Sequence, residues 1–193
     1  MAEFCISSGE QEKITQMMSE FKQLIPIPIL SFFKQPQELE YVGQGFFKMV
    51  FKYADKAIKY YRFGPISDQE EEKLTTLSRL ESFEKIYMRG ERWVATEFIP
   101  GKNLKTKDIR LQKTAVEKLV EDMRACLCLG WMPNDLHFGN FLLEPSGRIR
   151  CIDVDLFKNI RCYSRQKQER YRQSALERIQ GLQKKMLRLV ENA

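Results

Sequence analysis

The sequence predicts an α+β fold, and two patterns predict it. Apolar runs of strand length, broken by turns containing Gly or Pro, occupy Leu39–Ile99 and return in Phe141–Ile152. Runs punctuated in this way form antiparallel hairpins. Around them, four segments repeat apolar side chains every three or four residues, the period of a helix with one buried face. With 193 residues, 43% of them hydrophobic and thirteen of them Phe, the chain can bury a core as one domain or as two lobes. No apolar run reaches the length that spans a bilayer. Met1–Glu20 lacks the basic start and continuous apolar stretch of a signal peptide, so export by the general secretory route is not expected.

Taken in order, Ser7–Phe21 starts with Ser7 or Ser8 as a cap and repeats Ile14, Met17, Met18 and Phe21 at helical spacing. It reads as a helical brace packed on the main fold. Pro26 and Pro28 end it, and Ile25–Lys34 should run extended, because a residue before proline is driven away from the helical region. Leu39–Tyr53 places apolar residues on both sides of Gly43-Gln44-Gly45. Asp55–Lys59 is the next strand, with Ala57 and Lys59 on one face. Asp68–Phe83 carries Glu70, Glu71 and Glu72 near a helix start, where acids are favoured, and should bury Leu74, Leu77 and Leu80. Lys85–Met88 and Arg92–Ile99 are strands around Arg89-Gly90-Glu91, the second leaving through Pro100-Gly101. Leu111–Leu129 is a helix through Val116, Leu119, Val120, Met123 and Leu127 that stops near Gly130. Tyr163–Val190 reads as one or two basic helices with Leu176, Ile179, Leu182 and Leu187 on one side.

Charge and cysteine usage narrow the function classes. The net charge of +6 lies at the end of the chain, where Lys158–Ala193 holds ten Lys/Arg against three Asp/Glu. Such a helix suits an anionic partner or a plain solvated face; nucleic acid is not the expected partner. The five cysteines, Cys5, Cys126, Cys128, Cys151 and Cys162, have no C-x-x-C spacing. They are expected to be reduced thiols without a metal, with Cys126 and Cys128 on different faces of one helix.

The chemistry is concentrated in Trp131–Leu156. A loop carries Asp135 and Asn140, two apolar runs flank Glu144-Pro145-Ser146-Gly147, and Asp153 follows the second run. A hairpin here puts Asn140 at one end of its first strand and Asp153 at the end of its second. Asp135 arrives at the same edge from the preceding loop. Two carboxylates and an amide together make a hard-oxygen site suited to Mg2+ and a phosphate.

The order of these features resembles the protein-kinase-like family. Gly43-Gln44-Gly45 with Val50 comes first, then Ala57-Ile58-Lys59, an acidic helix, Thr96–Gly101, and last Asp135, Asn140 and Asp153. Each has a plain reading alone: a glycine turn, a surface lysine, acids that complement a helix dipole, a strand leaving through a Pro-Gly turn. Their ordered conjunction carries the resemblance. It implies a two-lobed fold, with 39–99 a small antiparallel-sheet N-lobe, 100–193 a strongly reduced helical C-lobe, and 1–38 an added helix and arm. It implies that Gly43 and Gly45 approach the phosphates of ATP, that Val50 and Ala57 lie at the adenine, and that Lys59 reaches the α/β-phosphates. Glu71 or Glu72 would position Lys59, and the backbone of Glu97, Phe98 and Ile99 would meet the adenine edge. Asn140 and Asp153 would hold Mg2+, and Asp135 would act on the acceptor hydroxyl.

Several positions depart from that pattern. Lys48 stands where a third glycine would be. Pro133-Asn134-Asp135 replaces the His-Arg-Asp triplet, so activity should not need a phosphorylated activation loop. Asp135-Leu136-His137 resembles the loop of small-molecule phosphotransferases such as aminoglycoside and choline kinases, with His137 contacting a phosphate or bonding the loop backbone. Asp153-Val154-Asp155 lacks the glycine of the Asp-Phe-Gly triplet, and Asp155 reads as a further metal ligand or a helix cap. Only residues 154–193 follow Asp153, too few for the substrate platform of a full kinase or the acceptor insertion of a small-molecule phosphotransferase. That brevity resembles the minimal kinases that pathogenic bacteria inject into host cells by type III secretion, one family of which phosphorylates the host heat-shock protein 90 chaperone. The resemblance implies a monomeric serine/threonine-protein kinase and virulence effector, using ATP and Mg2+ on a host protein in the host cytosol, or otherwise a cytoplasmic enzyme. A small-molecule phosphotransferase and a non-catalytic kinase-like binding module are the alternatives.

Overall fold

Ser7 caps the first helix, α1 (Ser8–Lys22), by accepting a hydrogen bond from Glu10 N at 3.3 Å. In the computed structural model the described residues are 7–22 and 39–190, with side chains at 19–22 excluded. Cys5, the Phe21 side chain, Pro26, Pro28 and the extended run Ile25–Lys34 lie outside them. These described residues form an α+β structure with a five-stranded antiparallel sheet and four α-helices. The chain divides into two compact units: Met1–Ser67 with Lys85–Phe98, and Asp68–Glu84 with Ile99–Ala193.

In the first unit, β1 (Glu40–Gln44), β2 (Lys48–Tyr53) and β3 (Lys56–Tyr61) form a meander. The later pair, Ile86–Arg89 and Trp93–Glu97, completes the sheet, with the second of these strands next to β3. Met49, Phe51, Ile58, Tyr60, Trp93 and Ala95 line one face and cluster with Ile14, Met17 and Met18 of α1. The expected brace is thus a packed layer. Lys56 pins it, with Nζ 2.8 Å from Glu10 Oε1 and 2.7 Å from Asp55 Oδ1. Burial opposes the Lys56 charge, but the two carboxylates outweigh it and hold the ammonium above its ordinary pKa.

The turn between β2 and β3 carries a local strain. Ala54 has φ +51°, a left-handed conformation that a Cβ disfavours. Ala54→Gly is therefore expected to stabilise the protein by about 1 kcal/mol, read as a rise in the midpoint of thermal unfolding. A lowered midpoint would show that the gain in unfolded-chain entropy outweighs the relieved strain.

The second unit begins with α2 (Asp68–Leu77). The sequence predicts a helix running to Phe83, but it ends six residues earlier, because tertiary bonds claim the next stretch. Ser82 N donates to Asp122 Oδ2 at 2.8 Å, Cys151 N donates to Ser82 O at 2.6 Å, and Phe83 pairs with Cys151. Leu80 consequently reaches the core from a turn and is only half-buried. Counting the first unit's pair as β4 and β5, the chain continues through β6 (Lys102–Asn103), α3 (Lys113–Cys128), β7 (Trp131–Met132), β8 (Phe141–Leu143), β9 (Ile149–Cys151), β10 (Lys158–Asn159) and α4 (Arg165–Leu187). β6, β8 and β9 form one small sheet, and β7 pairs with β10.

The core of this unit joins Val116, Leu119, Met123 and Cys126 of α3 to Trp131, Phe141, Ile160 and one stripe of α4. That stripe is Ala175, Ile179, Leu182 and Met186. Leu187, expected in it, is exposed, and Leu176 is only half-buried. Tyr163–Val190 contributes a single helix. Cys126 is buried and Cys128 exposed, as their spacing predicts, and the four described cysteines are free thiols. Burial, with Cys151 and Asp122 nearby, pushes the Cys126 thiol well above its ordinary pKa. Among the described residues no helix is long and apolar enough to cross a membrane.

Candidate active site

The hairpin around Glu144–Gly147 forms with Phe141 opposite Cys151, Leu142 opposite Arg150 and Leu143 opposite Ile149. Gly147, at φ +86°, supplies the left-handed residue that closes the turn, and its N–H donates to Glu144 O at 2.9 Å. At the open end, Ile152 N donates to Asn140 O at 3.0 Å. Asn140 therefore sits beside the residue that leads into Asp153.

The preceding loop is held at both ends. Gly130, at φ +84°, ends α3, and β7 pairs with β10 before the chain passes buried Pro133. Arg178 of α4 donates to Asn134 Oδ1. Asp135 then takes φ +56°, an uncommon conformation that Asp tolerates better than most residues. Two donors fix it there: His137 N and Asn140 Nδ2 bond Asp135 O at 2.9 and 2.8 Å. Asn140 Nδ2 also lies 3.3 Å from Asp135 Oδ2, as does His137 Nε2. His137 thus turns its ring to the carboxylate, not to the loop backbone.

Asp153 is half-buried, and its Oδ1 accepts from Asp155 N at 3.1 Å. The helix-cap reading of Asp155 is not what the chain does, since a turn follows it and Phe157 N bonds Val154 O. Asp155 O instead accepts from Lys73 Nζ at 3.1 Å, and Lys73, only 2% exposed, pairs with Glu70 at 2.6 Å. Glu72 is held by Arg161 Nη2 at 2.7 Å. The contact of α2 with the segment after Asp153 had no signal in the sequence beyond the helix-spaced pair Glu70 and Lys73.

Donor chemistry decides whether a metal fits. Among the described residues no three His, Cys, Asp or Glu side chains gather into a metal cluster. The set at the hairpin mouth is smaller: the Asp153 carboxylate and the Asn140 amide. Asn140 uses its Nδ2 on Asp135, and its Oδ1 accepts no hydrogen bond from any described residue. Two hard-oxygen donors are the kind of protein ligand that Mg2+ takes, since it fills the rest of its shell with waters or phosphate oxygens.

In the first unit, the face of the sheet opposite α1 carries Gly43, Val50, Ala57, Lys59 and Val94, placed together by register. Ala57 and Lys59 are 4% and 5% exposed, so Lys59 is not an ordinary surface lysine. Neither Gly43 nor Gly45 has a positive φ, and a Cβ at either would meet nothing within 4 Å. The fold does not itself demand glycine at these two positions. Of the amides at the strand exit, Glu97 N bonds Lys85 O at 2.9 Å and Phe98 N bonds Asp55 O at 3.0 Å. Ile99 begins the second unit's portion of the chain.

No family model matches the chain. A curated protein of Bacillus subtilis (strain 168), "Putative serine/threonine-protein kinase YrzF", is 24% identical in a match of 134 residues that covers 65% of this chain. The chain spans 62% of that relative's length. The similarity supports a kinase-like relationship, with which the α+β fold and its small antiparallel sheet are compatible.

Proposed function

We propose that the chain is a two-lobed, ATP- and Mg2+-dependent protein kinase that transfers the γ-phosphate to a Ser or Thr hydroxyl. The observation that carries this reading is the assembly of Asp135, Asn140 and Asp153 at one loop and hairpin mouth, with Asp135 strained and held by two hydrogen bonds. Asp135 orients the acceptor hydroxyl and takes its proton, an effect worth about 10²–10⁴-fold in rate. Asn140 and Asp153 hold Mg2+, which when bound offsets phosphate charge. In the first unit, Lys59 binds the α/β-phosphates and Gly43 and Gly45 leave the backbone open to them. Val50, Ala57 and the backbone of Glu97–Ile99 serve the adenine.

The acceptor class follows from the resemblance to injected minimal kinases, which makes a host chaperone, heat-shock protein 90, the first substrate to try. The test incubates purified protein with γ-labelled ATP and Mg2+, alone, with eukaryotic extract and with that chaperone, beside the Asp153→Ala variant. Label on a discrete protein band that disappears in the variant supports the reading and identifies the substrate. Label confined to small molecules replaces it with a small-molecule phosphotransferase, the reading favoured by Asp135-Leu136-His137. Nucleotide binding without any transfer replaces it with a kinase-like binding module.

A further inference from the structure

We propose that Lys105 is a catalytic residue, whose ammonium binds the phosphoryl group transferred beside Asp135; this rests on the kinase reading above. Lys105 lies far from the catalytic loop in sequence, yet the two residues before it are tied to that loop and to the strand that follows it. Asn103 Nδ2 donates to Gly139 O at 2.8 Å, and Asn103 Oδ1 accepts from Lys105 N at 3.0 Å. The next residue in, Leu104, is buried and donates from N to Phe141 O at 3.1 Å. Thr106 N closes the turn on Asn103 O at 2.9 Å.

From this base the Lys105 side chain crosses Gly139. A Cβ built on Gly139 would stand 2.7 Å from Lys105 Nζ and 2.8 Å from His137 Cε1. His137 Nε2 is in turn 3.3 Å from Asp135 Oδ2. The ammonium and the imidazole therefore meet over one glycine, immediately before Asn140, and the imidazole reaches on to the carboxylate. The buried and half-buried lysines of this unit are engaged: Lys73 with Glu70 and Asp155 O, and Lys118 of α3 with Asp122 at 2.9 Å. The Lys105 ammonium makes no hydrogen bond or ion pair with any described residue. An exposed lysine with a mobile base is usually just solvated. Here the base is pinned, and the head lies over Gly139 beside the imidazole that contacts the Asp135 carboxylate.

The chemistry asks for a cation there. In the transfer the acceptor oxygen forms a bond to the γ-phosphorus. The bond from that phosphorus to the bridging oxygen breaks, and ADP leaves with its electron pair. The acceptor proton goes to the Asp135 carboxylate. Charge is spread over the oxygens of the moving phosphoryl group, and a fixed ammonium stabilises it without changing its own protonation. Glycine at 139 keeps the path of the lysine clear.

Lys105→Met, Lys105→Arg and Gly139→Ala test this in the full chain, with unfolding midpoints confirming that each folds. The two measurements are single-turnover transfer and the calorimetric affinities for Mg-ATP and Mg-ADP. Lys105→Met is expected to slow transfer about 10²-fold and to remove the preference for ATP over ADP while leaving ADP affinity unchanged. Lys105→Arg keeps most of both, and Gly139→Ala, which crowds the ammonium, loses both with the lysine still present. Transfer by Lys105→Met at the wild-type rate overturns the proposal, as does an equal loss of ATP and ADP affinity. If the wild-type protein binds neither nucleotide, the kinase reading fails and Lys105 falls with it. If it binds both but transfers nothing, the ATP-over-ADP preference alone decides for or against Lys105.

Discussion

Replacing Asp135 with Asn is expected to lower the rate of transfer by about 10²–10⁴-fold while leaving Mg-ATP bound. Asn is chosen because the position has φ +56°, and Asn tolerates the left-handed region where Ala is strained. The hydrogen bonds that fix the loop end on the Asp135 carbonyl, from His137 N and Asn140 Nδ2, and the substitution leaves that carbonyl in place. What disappears is the carboxylate proposed to accept the hydroxyl proton. Single-turnover measurements separate this from binding, and an unfolding scan separates it from damage to the loop. Undiminished transfer by Asp135→Asn would remove Asp135 from the mechanism and send the search for the base to His137.

The largest expected effect on stability is at Glu144. Its carboxylate is 7% exposed as a residue and bonds Arg150 Nη1 at 3.0 Å and Arg148 Nε at 2.7 Å. Arg150 is only 2% exposed, and its Nη2 donates to Phe83 O at 2.8 Å. Glu144→Ala breaks the buried ion pair with that guanidinium, which costs about 3–5 kcal/mol. For a chain of this length the unfolding midpoint should fall by roughly 6–20 °C. Removing both charges, as Glu144→Leu with Arg150→Met, should recover much of the loss, because an apolar pair of similar volume often replaces a buried ion pair without penalty. A single variant that melts with the wild type would show that water reaches Arg150 when Glu144 is gone.

How much of this was legible in the sequence depended on whether the information was local. The hairpin mouth was legible because Pro145, Ser146 and Gly147 mark the turn, and a turn of known length sets which residues face each other. The first helix was legible because Ile14, Met17 and Met18 keep a helical period. The end of α2 was not, since nothing local stops it; the bonds from Ser82 to Asp122 and Cys151 do so from far along the chain. On α4 the period was right but the stripe was drawn through Leu187, where the 4-3-4 spacing from Ala175 selects Met186. Residue type outweighed angle in that choice. Lys105 had no signal at all, because the Asn103–Gly139 bond that places it spans 36 residues.

The fastening of α2 has a consequence for control of the proposed enzyme. The helix and the strand-like segment after it are joined within their unit at Lys73–Asp155, Glu72–Arg161, Ser82–Asp122, Ser82–Cys151 and Phe83–Arg150. Tilting α2 away from the hairpin would break the bonds that buried Lys73, Asp122 and Arg150 make across this joint, at Asp155 O, Ser82 N and Phe83 O. Packed elements of this kind change by discrete rearrangement rather than by gradual bending, and each of these contacts raises the threshold for one. Swinging this helix alone is therefore a costly route to an off position of the proposed enzyme.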